Sequence, residues 1–134
     1  MMFRGRRMRR WWLVGATLAL PLACDVSEPG SAQPVVVFHT QWSDDGSVAF
    51  SVTTPEHARI DSVVPACDGC RALLLHSADG VANIVVVGPL SNGPIARLVM
   101  ANGAPAPWYA VRLVAVARRD YLPRTLPGYA LSVE

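Results

Sequence analysis

The sequence predicts an all-β protein, an antiparallel β-sandwich of about eight strands. Along several segments apolar residues alternate with small or polar residues, which is the period of two expected of half-buried strands. Turn-forming residues separate these segments at intervals of roughly ten residues. No segment shows the 3.6-residue periodicity of an amphipathic helix, so two packed antiparallel sheets are favoured over a mixed fold.

The predicted strands follow one another from residue 35 to residue 133. In 47–52, Val48, Phe50 and Val52 share one face. In a later segment one face carries Tyr109, Val111, Leu113 and Ala115. The other predicted strands are rich in β-branched or aliphatic residues and cover 35–42, 60–66, 72–77, 81–88, 95–101 and 129–133.

The separators between these strands carry turn chemistry. Asp44-Asp45-Gly46 and Asp79-Gly80 predict tight hairpins, because Asp and Gly tolerate the backbone angles of two-residue loops. Ser91-Asn92-Gly93-Pro94 predicts a turn that leads into a strand. The three aspartates are therefore interpreted as turn residues rather than as calcium ligands, since a dedicated acidic loop is missing.

Charge is distributed unevenly along the chain. All twelve basic residues are arginines, and five of them lie within the first ten positions. From Cys24 onward seven arginines stand against ten acidic residues, a net charge near −3. We therefore expect no cationic face for nucleic acid. With 51% apolar and 16% charged residues, the chain has the composition of a globular protein.

The N-terminus predicts export. An arginine-rich start precedes the apolar run 11–23, which at thirteen residues is shorter than the roughly 20 that span a bilayer. We interpret residues 1–23 as a signal peptide. Leu20-Pro21-Leu22-Ala23-Cys24 resembles the lipobox of bacterial lipoproteins, which implies a diacylglyceryl group on Cys24 and cleavage after Ala23.

Pro21 stands where the lipoprotein family usually has leucine. The alternative is an ordinary signal peptidase that cuts after Ala23 and leaves Cys24 as a thiol or disulfide partner. Residues 24–34 contain turn formers and little to bury, so they predict a flexible tether. Residues 35–134 then form one domain in the cell envelope, anchored to a membrane and facing the periplasm or the surface.

Cys67-Asp68-Gly69-Cys70 is a turn sequence in this exported context. It predicts a local disulfide between Cys67 and Cys70. A redox-active pair would need its first cysteine at a helix N-terminus, whereas a strand is expected after Cys70. A zinc site would need a second pair of ligands. His39, His57 and His76 are too scattered to supply one, so neither a metal nor another cofactor is expected.

Candidate binding residues are aromatic and basic. Trp42 and Trp108 lie near predicted strand ends, where an exposed ring can stack on a sugar or anchor a partner. The alternative is that both rings cap the ends of the core. Arg118, Arg119 and Tyr121 belong to a polar loop with the same two interpretations. No catalytic residue is expected, since no sequence cue singles out a nucleophile and its base.

The closing segments 109–117, Arg118-Arg119-Asp120 and 128–133 resemble those of cohesin-like and related jelly-roll modules on bacterial surface proteins. The resemblance implies a cohesin-like or immunoglobulin-like sandwich that works by binding. We expect a lipid-anchored envelope module without catalysis that recognises an envelope protein or a glycan. The alternatives are an accessory structural subunit of an envelope complex and a redox protein whose Cys67–Cys70 disulfide yields to mild reductant.

Overall fold

The computed structural model describes residues 33–78, 80–103 and 106–134, which form eight strands. The predicted signal peptide and Cys24 lie outside the described residues, and of the predicted tether only Gln33 and Pro34 lie within them. The strands are β1 Val35–His39, β2 Asp45–Thr53, β3 Ile60–Pro65, β4 Arg71–Ala78, β5 Val81–Val87, β6 Gly93–Met100, β7 Ala110–Arg118 and β8 Ala130–Val133.

The strands form two antiparallel sheets of four strands each, which confirms the predicted all-β sandwich. The first sheet has the order β3-β6-β1-β8, and the second sheet has the order β4-β5-β2-β7. Among these strands only β4 and β5 are both consecutive in the chain and paired in one sheet. The chain therefore passes back and forth between the sheets, and most strand pairs join segments that are distant in sequence.

One of the two predicted hairpins is present. Residues 79 and 80 join β4 to β5, where Ala78 pairs with Val81. The hairpin predicted at Asp44-Asp45-Gly46 is wrong, because β1 lies in the first sheet and β2 in the second. The segment instead carries the chain across the end of the sandwich, with Asp45 buried as the first residue of β2.

The hydrophobic core lies between the two sheets. Phe38 comes from the first sheet, and Phe50 and Ile84 come from the second; all three side chains are fully buried. Along β2 and β5 alternate residues face this layer, as the period of two predicts. The other apolar core members are Val36, Val48, Val52, Ile60, Cys70, Ala82, Val86, Leu90, Ile95, Ala96, Leu98, Met100 and Val116.

Both edge strands of the second sheet carry a β-bulge. In β4 the pairing with β5 shifts at Leu75, and in β7 the pairing with β2 shifts at Val114. Both extra residues are exposed aliphatic side chains. A bulge interrupts the row of backbone groups with which a further strand could pair. Pairing of another strand is therefore disfavoured at both edges of this sheet.

The bulge in β7 also changes which side chains face the core. Leu113 packs against the core and Val116 is buried, but Ala115 is exposed on the outside of the sheet. The prediction that Ala115 shares a face with Leu113 is therefore wrong. One extra residue at Val114 reverses the alternation, and uniform period-two reasoning does not anticipate it.

Gly46 lies against the backbone of the loop that follows β7, and this contact predicts a stability effect. A Cβ at Gly46 would lie 2.7 Å from Arg119 Cα, and Arg119 N donates to Asp44 O at 2.9 Å. We expect Gly46→Ala to lower the free energy of unfolding by about 1–3 kcal/mol, because backbone must shift to make room. Urea unfolding measures it. Ser47→Ala is the neighbouring control, and equal stabilities of the two variants would contradict the prediction.

Candidate functional site

A buried carboxylate organises one end of the sandwich. Asp45 has 0% of its surface exposed. Its Oδ2 accepts a hydrogen bond from Thr40 Oγ1 at 2.5 Å, and its Oδ1 accepts one from Tyr129 Oη at 2.7 Å. A carboxylate buried without such donors would be strongly destabilising. The two hydrogen bonds connect the start of β2 to the segments after β1 and before β8.

Arg124 and Trp42 complete this cluster. Arg124 Nη2 donates to Asp44 Oδ1, and Arg124 Nε lies 3.9 Å from Asp45 Oδ1. The guanidinium carbon lies 5.1 Å from the centroid of the Trp42 ring, a cation–π contact. The other neighbour of Trp42 is Tyr129, with ring centroids 4.7 Å apart. Trp42 is therefore partly buried between a cation and an aromatic ring rather than standing free at the surface.

Tyr129 has an altered acidity in this setting. Burial of the hydroxyl, together with its hydrogen bond to Asp45 and the charge of that carboxylate, raises the pKa of Tyr129 to about 12 from the ordinary 10.0. Burial is the largest cause, because the phenolate loses more hydration than the neutral phenol. Tyr129 therefore stays a hydrogen-bond donor at every physiological pH.

A second set of ion pairs extends from this cluster to the surface. Arg118 Nε lies 3.3 Å from Asp44 Oδ2, and Arg118 Nη2 lies 2.9 Å from Asp120 Oδ2. Asp44 is thus shared between Arg118 and Arg124. The shared carboxylate joins the loop after β7 to the buried Asp45 cluster.

The hairpin loop after β7 holds Tyr121 in a conformation unusual for its residue type. Arg118 N donates to Leu122 O at 2.9 Å, and Tyr121 N donates to Arg118 O at 3.0 Å. Tyr121 has a φ of 68°, the left-handed region that this kind of three-residue loop usually fills with glycine. Its side chain is 90% exposed. The chain therefore places a large ring in solvent at a position where glycine would be easier to accommodate.

A depression of about 400 Å³ lies between this hairpin and the second sheet. One wall contains Ser47, Val85 and Val87, and the other contains Arg118, Arg119 and Tyr121. Three of the five residues predicted to bind a ligand therefore meet at one concave site. Trp42 lies in the neighbouring Asp45 cluster. Trp108, which is 50% exposed, lies apart from them. It precedes the first residue of β7, whereas the depression lies at the last residues of that strand.

The face of the second sheet that points away from the first sheet, here called the outer face, continues the depression. The strand registers align the residues of this face in four rows across β4, β5, β2 and β7. The outermost row, farthest from the depression, is Ala78, Val81, Thr53 and Ala110, and the other three rows flank or form the apolar centre. The apolar row is Leu73, Val85, Ala49 and Ala115. The row nearer the depression is Arg71, Val87, Ser47 and Ala117. The far row is His76, Asn83, Ser51 and Arg112.

The apolar row was not among the binding residues predicted from the sequence. Leu73 and Leu75 are 52% and 63% exposed, although aliphatic residues in a strand usually predict burial. The available signal was the unbroken apolar runs 73–75 and 85–87. Because neighbouring residues in a strand point to opposite faces, such runs on a two-sheet sandwich place apolar side chains outside as well as inside.

The cysteine pair lies in the loop between β3 and β4. The two sulfur atoms are 2.02 Å apart and the Cα atoms 5.4 Å apart, as the predicted disulfide requires. Cys70 N donates to Cys67 O at 3.3 Å, so the segment is a tight turn. The strand expected after Cys70 is β4. The dipole of a helix, which lowers the thiol pKa in thioredoxin-like pairs, therefore does not act on Cys70 from this side.

The remaining candidate ligands are dispersed. His39 Nε2 lies 3.2 Å from Ser132 Oγ on the first sheet, whereas His76 lies on the outer face of the second. His57 lines an apolar cavity of about 290 Å³ with Pro55 and Met100 at the far end of the sandwich. Within residues 33–78, 80–103 and 106–134, no three His, Cys, Asp or Glu side chains are grouped closely enough to hold a metal ion.

Comparison with protein-family models, with curated proteins and with solved structures found no match to this chain. The resemblance to lipoprotein signals and to cohesin-like modules therefore stays a prediction. Among the residues that the structure describes, there is no apolar helix of membrane-spanning length. Functional inference then depends on the geometry of the Asp45 cluster, the depression and the outer face.

The Asp45 cluster predicts a specific cost for losing one hydroxyl. Tyr129→Phe removes the donor to Asp45 Oδ1, and the remaining group, Arg124 Nε, is 3.9 Å away. We expect the free energy of unfolding at neutral pH to fall by about 1–3 kcal/mol. Urea unfolding followed by tryptophan fluorescence measures the change. Tyr121→Phe, at an exposed hydroxyl, is the matched control, and equal effects of both variants would contradict the structural role.

The same variant carries a pH signature. The unfolded chain ionises Tyr129 near pH 10 and the folded chain near pH 12. The stability contributed by the neutral hydroxyl is therefore complete below pH 10 and is lost as the pH rises through 12. We expect this loss in the parent protein but not in Tyr129→Phe, so their stabilities converge in that range. A constant difference between them from pH 8 to 12 would argue against it.

Proposed function

We propose that this chain is an exported, lipid-anchored module of the cell envelope that recognises a protein partner and has no catalytic activity of its own. The recognition surface is the depression together with the outer face of the second sheet. The depression is concave and lined by Arg118, Arg119 and Tyr121, and the adjoining face is apolar along its middle row. Concave sites with a few placed polar groups are typical binding sites.

The observation that carries this proposal is the conformation of Tyr121. A left-handed backbone costs a residue other than glycine roughly 1–2 kcal/mol, and Tyr121 adopts it with a φ of 68°. Its ring gains little from the fold in return, since 90% of the side chain is exposed. Strain of this kind is typical of functional positions, and tyrosine is enriched in binding hot spots.

A protein partner is favoured over a glycan by the aliphatic side chains beside the depression. The exposed ring of Tyr121 could contact either kind of partner. Trp42 is covered by Arg124 and Tyr129. The outer face next to Tyr121 offers aliphatic side chains, with Leu73 and Leu75 exposed. Exposed aliphatic side chains beside a ring and arginines are typical of protein-binding patches.

The buried carboxylate is not placed to act as a general base. Asp45 is the fully buried acidic residue of the described chain, and its oxygens are held by Thr40 and Tyr129. A general base must reach the proton of a substrate within hydrogen-bond distance. A carboxylate without exposed surface does not meet that requirement, so Asp45 serves the fold rather than a reaction.

The anchor fits the position of this surface. β1 runs from Val35 toward His39, and Thr40 just beyond it bonds to Asp45 beside the depression. β1 therefore begins at the end of the domain opposite to the depression. If the proposed lipid holds that end toward the membrane, the hairpin with Tyr121 faces away from the bilayer, where a partner can reach it.

The second candidate function is an accessory structural subunit of an envelope complex. The exposed aliphatic residues Leu73, Leu75 and Val114 favour it, because permanent interfaces are more apolar than transient ones. A subunit of this kind would co-purify with its complex at a fixed stoichiometry. A recognition module would instead be recovered largely free of its partner after dilution.

Tyr121 generates a prediction in which stability and binding move in opposite directions. Tyr121→Gly removes the unfavourable left-handed tyrosine, so we expect the free energy of unfolding to rise by up to about 1 kcal/mol. The same change removes the exposed ring, so we expect weaker binding of the partner. Binding is measured in native membranes with a photo-crosslinking amino acid in place of Val87, beside the depression, as the yield of the covalent adduct between this protein and its partner.

Two comparisons make this experiment decisive. Tyr121→Phe keeps the ring and should keep the adduct. A crosslinker in place of Arg97, which lies on the outside of the first sheet, should give no adduct of the same size. No adduct from position 87 in the parent protein, or an undiminished adduct in Tyr121→Gly, would contradict the proposed recognition site.

The lipid anchor predicts the behaviour of a single cysteine variant. Cys24→Ala removes the sulfur that the lipobox resemblance assigns to the diacylglyceryl group, so we expect the protein to move from the membrane fraction to the soluble fraction. Cys67→Ser with Cys70→Ser is the matched control, because it removes two sulfurs without touching the anchor. Fractionation followed by intact-mass measurement reads the outcome, and an unchanged membrane fraction of Cys24→Ala would refute the anchor.

A further inference from the structure

Basic side chains lie on both sides of the apolar row of the outer face. Arg71 and His76 lie on β4 in the two rows that flank it, and Arg112 lies on β7 in the far row. Arg119 lies just beyond the other end of β7 and lines the depression. The apolar row runs between these basic residues. A net charge near −3 for residues 24–134 gave no indication that one face would collect basic groups.

These arginines are free to pair with another molecule. The ion pairs among the described residues use Arg59, Arg118 and Arg124. Arg71, Arg112 and Arg119 belong to none of those pairs. None of the side chains that the three rows place on the outer face is acidic. In the described part of the chain this face therefore carries positive side chains on both sides of its apolar row.

From this arrangement we infer that the partner presents an extended acidic segment, which lies along the apolar row with its carboxylates paired to Arg71, Arg112 and Arg119. The inference rests on the proposed function and specifies its partner. Four strands about 4.8 Å apart make the row roughly 14 Å long, a length that about five extended residues cover. Apolar side chains of the segment contact Leu73 and Val85, and acidic ones reach the arginines on either side.

The shape of the face favours a chain segment over a membrane surface. Along β2 and β7 the rows contain small residues, among them Ser47, Ala49 and Ala115, and Tyr121 is exposed beside the depression. The small side chains leave room for a polypeptide segment to lie close to the sheet. Membrane binding is favoured by apolar side chains that project from the protein surface and insert into the bilayer interface. The bulges in β4 and β7 also leave the face, rather than an edge, as the route of docking.

The test combines charge reversal with a defined probe. The full-length lipoprotein is placed in neutral phosphatidylcholine nanodiscs, and a labelled short peptide of alternating glutamate and alanine is titrated in while fluorescence anisotropy is recorded. We expect binding that weakens with added salt and that falls roughly tenfold in Arg112→Glu or Arg71→Glu. Arg97→Glu is the matched control, because Arg97 is exposed on the outside of the first sheet and should leave affinity unchanged.

Several results would overturn the inference. A peptide of alternating lysine and alanine that binds equally well would remove the acidic preference. So would a loss of affinity in Arg97→Glu as large as in Arg112→Glu, or no binding of the glutamate peptide at millimolar concentration. If the protein binds phosphatidylglycerol vesicles through Arg112 and does not bind the glutamate peptide, the ligand of this face is a lipid surface and not an acidic segment.

The crosslinking experiment separates this inference from the proposed function. If the adduct from position 87 forms in native membranes and survives Arg112→Glu and Arg71→Glu, the module binds a partner but not through acidic groups. If no adduct forms in the parent protein, the proposed function itself fails. If the adduct forms and both charge reversals abolish it while Arg97→Glu does not, the acidic segment is supported.

Discussion

The burial of Asp45 is the constraint on which the rest of the structure depends. A carboxylate with no exposed surface requires hydrogen-bond donors, and these come from Thr40 and Tyr129 at opposite ends of the domain sequence. The donors hold the two sheets together at one end. Arg124 lies beside the same carboxylate and pairs with Asp44, which also pairs with Arg118. The hairpin that presents Tyr121 is therefore linked by ion pairs and hydrogen bonds to the buried end of the fold.

The sequence predicted the architecture well because period-two alternation and turn chemistry act locally. All eight strands were anticipated, and so was the Cys67–Cys70 pairing. The errors share one cause. The exposure of Ala115 follows from a bulge at Val114, and the role of Asp44-Asp45-Gly46 follows from which sheet β2 joins. Both depend on partners distant in sequence, which a single chain without aligned relatives does not specify.

The candidate site could be predicted from the sequence only where its residues are neighbours in the chain. Arg118, Arg119 and Tyr121 are neighbours in the chain, so grouping them required no tertiary knowledge. Their meeting with Val85 and Val87 across a depression did require it. Trp42 was a candidate because tryptophan is often found at binding sites, yet its ring is occupied by Arg124 and Tyr129. Residue type identified the right chemistry, and only the packing distinguished the free ring from the covered one.

The pairing of the first strand with the last sets the order in which the domain can fold. β1 lies between β6 and β8 in its sheet, and Asp45 accepts one hydrogen bond from a tyrosine 84 residues later in the chain. Until β8 has been synthesised, β1 lacks one of its two neighbouring strands and Asp45 lacks one of its two donors. Contacts of such long sequence separation slow folding. On the proposed export route, this late closure favours the unfolded state that a translocation channel requires.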